Sequence, residues 1–141
     1  MRWWYWRNTG RDGLAPDDVR MFVLYQQSDS SAPLERSVGV KNASYGVVNA
    51  VASRQMAARN RIIITHELLH ILGATDKYEL STGQPLEHGG LAEPYLRPVY
   101  PQNKAEIMAG HIALSQTKAV MPVSLQTCLI GSESANEIGW D

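Results

Sequence analysis

His66-Glu67-Leu68-Leu69-His70-Ile71-Leu72-Gly73-Ala74-Thr75-Asp76 is the stretch on which the reading of this 141-residue chain turns. Its first half continues a helix that the sequence predicts over Asn60 to Leu72. Ile62, Ile63, Leu69 and Ile71 supply the apolar cover, and Asn60 stands where a cap is expected. Gly73 follows as the C-terminal stop. Histidines at i and i+4 lie one above the other on one helical face. Both imidazoles can then reach a single tetrahedral ion at Zn–N distances of about 2.0–2.1 Å. Glu67 leans beside such an ion rather than onto it, where its carboxylate can take a proton from water. With four His and eight Glu in the chain, this five-residue pattern arises by chance in roughly 0.6% of such chains.

A catalytic zinc site needs a third protein ligand and one position left open. Asp76 is the prime candidate. Gly73 can take a positive φ, ending the helix and turning the chain back toward the histidines. Glu93, Glu106 and His88 are the rivals. A glutamate on a second helix would give a different arrangement, but Pro94 disfavours a helix at Glu93.

Upstream, Val19 to Gln26 reads as a strand with alternating apolar residues. Ser28 to Pro33 is a polar loop, and Ser37 to Val40 a short strand closed by a turn at Asn42-Ala43-Ser44. Tyr45 to Ser53 is a second β-rich run, whose Asn49 and small residues suggest an edge strand. Downstream, residues 74–104 are rich in proline and glycine and lack periodicity. Residues 105–110 form a tight segment, and Ser132 to Ile138 a short closing helix with Ser132 or Ser134 near its start. The expectation is one domain over 1–141, with an upper part of about 1–73 and a lower part of about 74–141.

Composition narrows the function. Apolar residues at 44% against 19% charged argue for a packed core. Thirteen basic against fourteen acidic side chains, with no basic run, leave no footprint for nucleic acid. No apolar stretch is long enough to span a bilayer. The aromatic start, Trp3-Trp4-Tyr5-Trp6, is too short for a signal peptide's apolar region, and reads as a packing element or a partner contact. An extracytoplasmic location, secreted, periplasmic or tethered through an upstream segment, is favoured over a cytoplasmic one. The single cysteine, Cys128, excludes an intrachain disulfide and reads as a small buried hydrophobe.

His66 to Asp76 resembles the zinc signature HExxHxxGxxD of the metzincin metallopeptidases, in the aspartate variant found in the snapalysin family. Glu106-Ile107-Met108-Ala109-Gly110 is similar to the metzincin Met-turn, which places a methionine beneath the metal. The resemblance covers residues 45 to 110. It implies an α+β, metzincin-like (zincin) fold. A twisted mixed β-sheet and an active-site helix would lie above the cleft, and an irregular lower subdomain would carry the Met-turn and a C-terminal helix. It also implies that the strand before the helix is a cleft-bordering edge strand, to which a peptide adds by main-chain bonding. The primed-side pocket would lie between Glu106 and Val123. Aspartate, a harder ligand than histidine, leaves the native metal less fixed.

The functional expectation is a zinc-dependent endopeptidase. His66, His70 and Asp76 would hold one Zn²⁺, Glu67 would be the general base, and Met108 the Met-turn residue. Tyr78, Tyr95 and Tyr100 are candidates for a phenol that stabilises the oxyanion, and His111 for a surface or cleft histidine. The expected partner is a peptide or protein substrate. The alternative is a catalytically silent, zinc-stabilised module that binds peptides or partners, for which Glu67 would have no use. A third possibility makes the tryptophan-rich N-terminus a docking element.

Overall fold

The structure is a computed structural model that describes residues 19–27, 38–40 and 45–140. The aromatic N-terminus, the loop at 28–33 and the turn at Asn42-Ala43-Ser44 lie outside those residues. Strand β1 (Arg20–Gln26), strand β2 (Val38–Val40) and strand β3 (Tyr45–Val51) form one mixed sheet in the order β1-β3-β2. β1 runs parallel to β3, with Val23 beside Val48, and β2 runs antiparallel to it, with Gly39 beside Gly46.

This order corrects the reading of Tyr45 to Ser53 as an edge strand. β3 is central between β1 and β2, and β2 covers Tyr45–Val47. The small residues reflect a close helix rather than an open edge. Helix α1 (Ala57–Leu72) packs across β3 and β2, and Val48 and Ala50 are fully buried. Asn49 is buried as well, and its Oδ1 accepts a 3.1 Å bond from Gln26 on β1. A cross-strand amide pair of this kind makes a polar residue tolerable in a central strand.

α1 begins three residues earlier than the sequence predicts. Asn60 is not its cap; Met56 holds that position without a side-chain cap bond. The buried Asn60 amide instead donates 2.8 Å to Val51 O and accepts 3.3 Å from Val51 N. One side chain thereby pins the end of β3 to the start of the helix. Gly73 ends α1 at φ 118°, and the amides of Gly73 and Ala74 close back on Leu69 O at 3.0 and 2.9 Å. A side chain at that φ would be strained, so glycine fixes where the chain turns.

Beyond Gly73 the backbone is held by short pieces. Strand β4 (Ala105–Glu106) pairs parallel with strand β7 (Cys128–Leu129), while β5 (Ile112–Ala113) and β6 (Ala119–Val120) form a small antiparallel ladder. A 3₁₀ turn (Leu125–Thr127) precedes β7, and helix α2 (Ser132–Glu137) closes the fold. Gly131 occupies the cap position of α2, and Ser132 is its first residue, as the sequence reading has it. The buried Gln102 staples the long loop: its amide donates to Glu93 O at 3.0 Å and Val99 O at 2.7 Å, and accepts from Glu93 N at 2.6 Å.

The core joins the two halves. Ile62 and Leu69 from α1 meet Ala74, Ile107 and Met108, with Cys128, Ile130 and Ile138 packed against them. Ile107 and Met108 are essentially inaccessible. Burying each contributes on the order of 1.5–3 kcal/mol, which presses residues 105–110 against the underside of α1.

Candidate metal centre

Three side chains converge at the C-terminal end of α1. The Nε2 atoms of His66 and His70 lie 3.0 Å apart. Asp76 Oδ1 lies 3.2 Å from the first and 3.1 Å from the second. Among the described residues this is the one group of three or more such side chains placed to hold a metal ion. A tetrahedron with bonds of 2.0–2.1 Å has edges of about 3.3–3.4 Å, so the triangle is close to one tetrahedral face.

The protons decide what the triangle means. His66 Nδ1 faces Ile107 O at 3.0 Å, and His70 Nδ1 faces Ala74 O at 2.9 Å. A carbonyl only accepts, so each Nδ1 must donate. Each neutral imidazole then turns its Nε2 lone pair toward the other two atoms. Asp76 Oδ1 is itself buried and makes no hydrogen bond. With both imidazoles neutral, three acceptors crowd one point with no donor among them. That arrangement is costly unless a cation takes all three lone pairs. Two imidazole nitrogens and one carboxylate oxygen make a donor set suited to zinc.

The flanking residues explain how the side chains are held. The positive φ of Gly73 sends Ala74 back under the helix, where its carbonyl meets His70. The Ile107 carbonyl reaches His66 from the turn at residues 106–110. That turn is closed by Ala109 N and Gly110 N, each 3.1 Å from Glu106 O. Met108 in this turn is wholly buried beneath α1. Glu67, one residue after His66, is 8% exposed, and no described residue hydrogen-bonds its carboxylate. It remains available as a proton acceptor.

The other candidates sit elsewhere. Tyr95 is 90% exposed and, with His88 and Glu93, lines a separate cavity of about 700 Å³ between residues 87–96 and 129–133. None of His66, His70 and Asp76 shares that cavity. Tyr78 and Tyr100 are half-buried; the backbone of Tyr78 pairs with Pro85. His111 Nδ1 lies 3.4 Å from Ala109 O, at the end of the turn. Cys128 is half-buried rather than fully buried, and burial, then the nearby Glu106 charge, push its thiol pKa up.

Glu106 has a role that the sequence does not announce. It is fully buried, yet its carboxylate accepts four bonds. Met108 N and Ala109 N donate to Oε2 at 2.6 and 2.9 Å, while Gly131 N and the Ser134 hydroxyl donate to Oε1 at 3.1 and 2.8 Å. An anion buried this way is tolerable because every lone-pair direction is used. Glu106 therefore fixes the turn that presents Ile107 O to His66. Its partners are 2 to 28 residues away in the chain, so no local pattern could reveal them. No known protein family, curated protein or solved structure matches this chain.

Proposed function

We propose that this protein is a zinc-dependent endopeptidase with a metzincin-like site. The observation that carries the reading is the meeting of three ligand atoms within 3.2 Å, with Glu67 adjacent on the same helix. His66, His70 and Asp76 would hold the ion, and the Ile107 and Ala74 carbonyls fix both imidazoles in the tautomer that leaves Nε2 free. Zinc, when bound, supplies Lewis acidity that makes a water nucleophilic near neutral pH and polarises the scissile carbonyl. Glu67 takes the proton of the attacking water and passes it to the leaving amine nitrogen. Its placement outside the ligand triangle leaves both carboxylate oxygens for that transfer. A peptide in extended form would pair along β2, one of the two outer strands of the sheet.

The test is cleavage mapping. A proteome-derived peptide library is incubated with zinc-loaded wild type and with zinc-loaded Glu67→Gln, and new termini are read by mass spectrometry. Cuts made by the wild type should fall by about 10²–10⁴-fold in the variant. Identical peptide pools from the two proteins would overturn the peptidase reading and the role of Glu67 together.

A further inference from the structure

Asp76 presents Oδ1 to the two histidines, and no protein hydrogen bond steadies that atom. Its position must come from the backbone on either side. Both neighbours are tied to one carboxylate, that of Glu137 on the last turn of α2. Thr75 N donates 2.8 Å to Glu137 Oε2, and the Thr75 hydroxyl donates 2.7 Å to Oε1. Lys77 Nζ lies 2.6 Å from the same Oε1 and donates 2.7 Å to the Thr75 hydroxyl oxygen. The Lys77 backbone N–H completes the bracket by donating 3.0 Å to Met108 O in the turn beneath the helix.

From this geometry we infer that Glu137 is a positioning residue for the metal centre: it clamps Thr75 and Lys77 so that Asp76, between them, is held against His66 and His70. The inference rests on the metal-site reading given above. Lys77 is 6% exposed at its side chain. A buried ammonium must keep a counter-charge, so the lysine enforces the clamp. Thr75 uses its single hydroxyl proton on Glu137 and its oxygen on Lys77, which closes a three-membered network. α2 carries a second bolt of the same kind, since Ser134 holds the Glu106 carboxylate that shapes the turn. One short helix thus fixes two of the pieces that surround the three metal-ligand side chains. Glu137 lies 61 residues beyond Asp76 in the sequence.

The experiment uses the whole chain and the metal alone. Zinc dissociation constants are measured by chelator competition for wild type, Glu137→Gln and Thr75→Val, and ligand-field spectra are recorded at saturating Co²⁺. Thr75 is at the surface, so its substitution preserves the fold if Glu137→Gln does not. Both variants should bind zinc more weakly, by about 10–100-fold for the glutamine, in line with lost support of a ligand. The Co²⁺ bands should change in intensity, which a loss of stability alone would not cause. Folded variants with wild-type zinc affinity and an unchanged Co²⁺ spectrum would overturn the clamp and leave the metal site standing. A wild type that binds neither ion would overturn both.

Discussion

Asp76→Asn should raise the stability of the metal-free protein and lower that of the zinc-loaded one. In the metal-free protein with both imidazoles neutral, Asp76 Oδ1 faces two Nε2 lone pairs at 3.2 and 3.1 Å with no donor among them. The asparagine amide offers N–H groups to those lone pairs at nearly constant volume. Supplying one missing hydrogen bond is worth about 1 kcal/mol. For a domain of this length that is about 3–4 °C in Tm. With zinc the sign reverses. At free zinc one hundred times its dissociation constant the wild type gains about 2.7 kcal/mol, or about 8–11 °C. A variant bound a hundredfold more weakly gains only about 0.4 kcal/mol at the same free zinc. The assay is thermal unfolding of both proteins at pH 8.5, with chelator and with buffered zinc. A metal-free Asp76→Asn that melts below the wild type would refute the reasoning, and so would a variant with the full zinc shift.

Three further outcomes follow from the surrounding bonds. Glu106→Gln replaces an acceptor of four donors with a group that points N–H at N–H. It should destabilise the fold by about 1–3 kcal/mol, read by denaturant unfolding, and loosen the turn beneath His66. Burial pushes the Glu137 pKa up, but the hydrogen bonds from Lys77 and Thr75 and the Lys77 charge outweigh it, and the carboxyl lies below its usual value. Its contribution is therefore present above the unfolded-state pKa and lost as pH falls through the lower folded value. Stability in the acid range should fall less steeply with decreasing pH in Glu137→Gln than in the wild type. The Cys128 thiol, whose pKa burial and then Glu106 push above the ordinary cysteine value, should react with alkylating reagents at pH 8 more slowly than a free thiol does. A rate equal to that of the unfolded chain would contradict its placement against the core.

The parts legible in the sequence are those set by neighbours in the chain. The i, i+4 histidines, the glycine at φ 118° and the return to Asp76 all lie within eleven residues, and helix periodicity carries them. The strands at Arg20–Gln26 and Val38–Val40 follow from local β-forming residues. What escaped was set by distant partners. β3 reads as an edge from its own composition, but its place is decided by β1 on one side and β2 on the other. Asn60 reads as a cap, yet its amide is taken by Val51. Glu106 reads as a rival metal ligand and Glu137 does not stand out, because their distant partners come from α2 and from the segment after Gly73. Polar side chains in irregular segments are satisfied over long range, and spacing does not encode that.

X-ray absorption at the zinc edge, on protein loaded with one equivalent of zinc, bears most directly on the central claim. The account predicts two imidazole nitrogens and light oxygen scatterers at about 2.0–2.1 Å, with one imidazole contribution lost in His70→Ala. A sulfur scatterer from Cys128, or zinc that stays bound unchanged in that variant, would contradict it.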